Sequence, residues 1–137
     1  MGKTNLQSSI RSEMLLYISL GYLIYGLVFG FVFRTIEQKT KQEVALEYAH
    51  PHLLTLGFIF HLLLFAIIGQ NTQQYLNTLI IYNIGLLVSS ISWIINTLQQ
   101  FSFKINNKLP IIFSGIGHIL MSVGLVWLMI ELIKVFG

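Results

Sequence analysis

Four histidines carry most of the chemical potential of this chain. His50, His52 and His61 lie in or beside one apolar stretch, and His118 lies inside another. An imidazole nitrogen can ligate a metal ion or haem iron. Ionisable side chains at membrane depth are costly and raise a functional hypothesis by default. There are no cysteines, which excludes thiolate zinc sites, iron–sulfur clusters, disulfides and cysteine nucleophiles. The sequence contains no Gly-rich phosphate loop and no serine–histidine–aspartate set.

The spacing of the histidines restricts what they can do together. Helical residues advance about 100° each, so His50 and His52 differ by roughly 200° and face opposite sides of their helix. They cannot easily chelate one small ion together, although each can serve a ligand on its own side. His61 shares a face with His50 but sits ~16 Å further along the axis. One metal site cannot contain both. Pro51 leaves two starts open for this helix. If it begins at Pro51, His50 is a cap-like residue whose direction is not fixed. If it begins near Ala45, Pro51 frees the carbonyl of Glu47 and kinks it. His52 lies inside the helix either way.

His118 sits in Ser114-Gly115-Ile116-Gly117-His118. Ser114, His118 and Ser122 follow each other at intervals of four, on one helical face. Glycines 115 and 117 leave room for close helix packing or for a flat cofactor ring. Gly26 and Gly30, with Tyr22 one turn earlier, form a small-residue stripe that reads as a helix contact. Asn83, Ser89, Ser90 and Ser92 read as hydrogen bonders between helices. Trp93 and Trp127 read as interface anchors or packing residues. Glu43 and Glu47 are positioned to orient His50 if that segment is helical, though a solvated helix end is the simpler reading.

The elements that hold these residues are membrane spans. The 137 residues make one domain, 55% hydrophobic and only 9% charged. A soluble domain carries about a quarter charged residues. The mean hydropathy of +0.75 points the same way. Expected spans run over about 14–33, 45–68, 75–95 and 109–133, each near the ~20 residues that cross a bilayer. The fold class is therefore all-α, an integral membrane four-helix bundle. The first stretch is too long for a signal-peptide core and has no small-residue cleavage site after it. A net charge of +3, scattered along the chain, excludes a nucleic-acid surface. Four spans put both termini on one side, with Lys3, Arg11 and Lys134 there and Arg34, Lys39, Lys41, Lys104 and Lys108 opposite. That balance favours external termini.

The run His50-Pro-His52-Leu-Leu-Thr-Leu-Gly57, with Gly115-Ile-Gly-His118-Ile-Leu, resembles a family of small four-span bacterial membrane proteins catalogued as a domain of unknown function. The resemblance covers nearly the whole chain, and it implies a multi-pass protein of a bacterial cell membrane. Pro51 departs from the family pattern, which has a small polar residue between the two histidines. A weaker resemblance is to subunit I of haem–copper oxidases, whose H-x-H helix ligates a low-spin and a high-spin haem. His50 and His52 match that pair, and His118 resembles the third histidine. The oxidase copper ligands have no counterpart, so oxygen reduction is not implied. The resemblance implies haem b with His52 and His118 as axial ligands. His50 is left for a second haem or one shared with a neighbouring subunit. The alternatives are a non-haem metal on His52, His118 and His50, or an accessory subunit without cofactor. The oxidase plan also implies cytoplasmic termini, against the charge balance. It implies a symmetric homo-oligomer too, a trimer first and a dimer next, packed through the Gly26/Gly30 stripe.

Overall fold

The computed structural model describes residues 13–41, 43–101 and 105–136. Lys3, Arg11 and Lys104 of the charge balance lie outside them. Among the described residues every regular element is helical. Helix α1 covers Met14–Thr40; α2 covers Leu46–His52 and leads into a π-helical stretch, Leu53–Ile59, and then α3, Phe60–Ile68. A 3-10 turn, Gly69–Tyr75, connects to α4, Leu76–Gln100, and α5 covers Leu109–Phe136. Among the described residues four helical stretches are long and apolar enough to cross a membrane, at Met14–Thr40, Leu46–Ile68, Thr72–Gln100 and Leu109–Val135. The chain has the character of a multi-pass membrane protein folded as an all-α four-helix bundle.

Span one runs past its expected end at 33. Arg34 to Thr40 continue the helix as a partly exposed extension, with Ile36 packed on the core, stopped by Lys41 in a left-handed conformation at φ 59°. Polar side chains past the apolar run do not end a helix, because its ladder is satisfied within itself.

Span two begins at Leu46, so Pro51 lies inside the helix. Span three holds that start in place. Thr97 Oγ1 accepts the Leu46 N–H at 3.1 Å, and Gln100 Oε1 accepts the Ala45 N–H at 3.0 Å. These two bonds satisfy amide groups that a helix start leaves without partners. Proline lacks the N–H that the carbonyl four residues earlier needs. Just beyond Pro51 the ladder widens, and the Phe60 N–H at the end of this stretch reaches Thr55 O, five residues back.

The wider turn is held by side chains. Tyr82 Oη donates to Leu56 O at 2.9 Å, and Ser19 Oγ donates to Phe58 O at 3.0 Å. His61 Nδ1 donates to Gly57 O at 2.6 Å. Three consecutive carbonyls thus accept side-chain hydrogen bonds, two of them from neighbouring spans. Irregular backbone at membrane depth is tolerated where protein groups satisfy it.

Spans one and two pack along most of their length, with Gly26 under Leu53 and Leu54 and Gly57 under Tyr22. Spans three and four meet through small residues. A Cβ added at Gly85 would lie 2.5 Å from Met121 N, and one at Gly124 would lie 2.7 Å from Tyr82 N. Span four leans chiefly on span three and leaves much of its surface exposed.

Candidate histidine sites

His50 and His52 diverge, as their spacing requires. His50 points to span one, where Nδ1 donates to Gly26 O at 2.7 Å. Its ring lies over Gly30, where an added Cβ would come 2.7 Å from Nδ1, and 6.1 Å from the Phe33 ring. His52 points to span three, where its ring meets Trp93 at 4.9 Å. Its Nδ1 donates to Tyr48 O at 2.9 Å.

His118 lies on an exposed flank of span four, and its Nδ1 donates to Ser114 O at 2.7 Å. The two glycines beside it divide the roles left open by the sequence. Gly117 packs against Ser89 and Gly85 of span three, whereas Gly115 has open space around it. Gly115 and Ser114 line a cleft of about 430 Å³ whose other wall includes Ser92, Trp93 and Asn96. A second cleft, of about 290 Å³, lies against His52, Pro51, Thr55 and Leu56. Trp93 joins the two, since it touches His52 and lines the cleft beside Ser114.

A carbonyl oxygen only accepts hydrogen bonds, so in each of these rings Nδ1 carries the proton. In the neutral imidazole Nε2 then holds the lone pair. For His50, His52 and His118, no described protein group bonds to Nε2.

His61 differs. It is fully buried, and its Nε2 accepts from Asn83 Nδ2 at 3.0 Å. Its ring stacks on Tyr22 at 5.4 Å, with Phe60 and Tyr82 around it. Both ring nitrogens are satisfied by protein, which marks a structural histidine tying span two to span three.

No three His, Asp or Glu side chains among the described residues are grouped so that they can hold one metal ion. His50, His52 and His118 therefore do not form a three-ligand site within the protomer. Glu43 precedes the helix, and with Glu37, Lys41 and Glu47 it lines a surface hollow; Gly26, not a carboxylate, orients His50. The Gly26/Gly30 stripe is spent inside the protomer on Leu53, Leu54 and His50, so it is not a surface for a neighbouring subunit.

The other polar residues divide as well. Asn83 bonds to His61, and Ser90 Oγ lies 3.1 Å from Tyr25 Oη on span one, both between helices. Ser92 instead bonds within its own helix to Ser89 O, and the buried Ser89 Oγ has no partner beneath Gly117. The polar node of His61, Asn83 and Tyr82 around the π-helical carbonyls is what the sequence reading missed as a unit. Its signal was Pro51 followed by three polar residues on two spans, and only the long-range pairing makes it visible.

No curated protein and no solved structure gives a significant match to the chain. The family model described as "Protein of unknown function (DUF2871)" matches residues 13–135, and the chain belongs to that family.

Proposed function

We propose that this protein binds b-type haem in the membrane, with His52 and His118 as axial ligands. One observation carries the reading. In both rings a backbone carbonyl holds Nδ1–H and leaves Nε2 without a protein partner. Ligating histidines use this arrangement, in which the second nitrogen's hydrogen bond fixes the tautomer and the ring orientation. Trp93, between the two clefts, offers an aromatic wall. The oxidase-like H-x-H pattern is the associational support. His50 has the same tautomer and faces span one, and we assign it to a second haem on the other side of span two.

With both axial positions held by imidazole, haem would supply a reversible one-electron couple, and a gas would bind only by displacing one imidazole. The chain's own residues would orient the imidazoles and keep water from them. Electron transfer, gas sensing and haem handling are the roles this site can serve in a bacterial cell membrane. The assembly we propose is a symmetric homo-oligomer, a trimer before a dimer by analogy with the oxidase plan.

The test is the absorption spectrum of the detergent-purified protein. A Soret band, with sharp b-type bands on reduction, is the expected result. A colourless preparation that also fails to take up added haem would overturn the proposal, and metal analysis would then separate a non-haem site from an accessory subunit.

A further inference from the structure

A cavity of about 450 Å³ separates spans one and three. That volume falls in the ~300–1,000 Å³ range of small-molecule sites. Gly21 of span one and Ile80 and Leu87 of span three line it and are exposed, so it opens sideways at membrane depth. Tyr25 lines it too, and its hydroxyl bridges to Ser90 on span three.

The lining is almost wholly apolar, and Asn83 is the exception that decides what fits. Its side-chain nitrogen donates to Leu79 O at 2.7 Å and to His61 Nε2 at 3.0 Å. Both acceptors require a donor, so the nitrogen is assigned without ambiguity and both its hydrogens are used. No described protein group donates to the Asn83 Oδ1, and it is not a sealed, unsatisfied atom of the core. No described protein group bonds to the Tyr22 hydroxyl either, and Tyr22 belongs to the same lining. The cavity thus offers one unpaired acceptor and, beside the Tyr25 hydroxyl already bonded to Ser90, one unpaired phenol among apolar walls.

An unpaired acceptor at membrane depth calls for a donor. Phospholipid acyl chains offer none, and ester and phosphate groups only accept. A hydroxyl does both: it donates to Oδ1 and accepts from a phenol. Gly21, which has open space around it, leaves room beside Tyr22 and Tyr25 for a flat head. We infer that this cavity binds a membrane-soluble molecule with a ring hydroxyl, of the phenol or quinol type, delivered sideways from the lipid. The inference is independent of the haem proposal and stands even if the protein is colourless.

The experiment is calorimetric titration of the purified full chain in detergent with decyl-hydroquinone, kept reduced with ascorbate. The dimethyl ether of the same compound is the comparison. Saturable binding is expected, with the ether weaker by about tenfold. Gly21→Leu and Ile80→Phe both fill the cavity from exposed positions, and an added Cβ at Gly21 meets nothing within 4 Å. Each should weaken the hydroquinone by tenfold or more while thermal stability stays near that of the parent. Equal binding of the ether, full affinity in both variants, or no saturable binding to the parent chain would each overturn the inference.

Discussion

Each of the four imidazoles gives its Nδ1 proton to a backbone carbonyl, so the fate of Nε2 is what separates them. In His61 that nitrogen is spent on Asn83, and the ring fills the space among Tyr22, Phe60 and Tyr82. His61→Ala should therefore act as a core deletion that also removes the acceptor of one Asn83 Nδ2 hydrogen. The expected cost is about 3 kcal/mol, read by reversible unfolding in mixed micelles, with unshifted haem bands in the folded fraction. His52→Ala and His118→Ala should do the reverse. Neither ring is fully buried, so each variant should stay folded and lose the low-spin haem spectrum. A preparation in which only His61→Ala bleaches the colour would show that the ligands are misassigned. The opposed directions of His50 and His52 were legible in the sequence, because residues two positions apart on a helix diverge by about 200°. The pairing of His61 with Asn83 was not. It joins residues 22 apart, and no local rule sets that register.

At the scale of the element, the π-helical stretch is the least regular part of the molecule and the one most dependent on its neighbours. Its carbonyls at Leu56 and Phe58 are satisfied by Tyr82 and Ser19, from spans three and one. Removing the hydroxyl in Tyr82→Phe leaves Leu56 O without this bond at a cost of about 1–2 kcal/mol. Ser19→Ala should cost about as much, and unfolding of the double variant would show whether the two bonds act together. The four spans themselves were legible from hydropathy and length. The π turn was visible only as the statement that Pro51 must free a carbonyl. The Gly85 and Gly124 contacts between spans three and four were not read from the sequence at all, since isolated glycines in a membrane helix have no local signature. Gly85→Ala brings a Cβ to 2.5 Å from the Met121 backbone nitrogen. Backbone cannot give way as a side chain can, so spans three and four must separate, with a loss of about 1–3 kcal/mol.

For the molecule as a whole, span four is the element with least support. It leans on span three through Gly117, Met121, Gly124 and Leu128, while Ile119, Val126 and Ile133 stand exposed. Apolar side chains facing lipid need no explanation, but His118 on an exposed flank does. Ionisable residues in spans almost always face a bundle interior or a cavity. A cofactor on His118, or a second copy of the chain over that flank, would remove the exception. The proposed oligomer would do so through span four, because Gly26 and Gly30 are already covered by Leu53, Leu54 and His50. The absence of native cysteines makes this directly measurable, since any single introduced thiol is the only one in the chain. Val126→Cys and Ile119→Cys, oxidised in native membranes, should give covalent dimers at twice the 15.6 kDa chain mass. Gly26→Cys should give none. Native mass spectrometry of the uncrosslinked protein should then show three chains together. Dimers from Gly26→Cys and none from span four would place the neighbour on the opposite side, and His118 would then face lipid or its own haem alone.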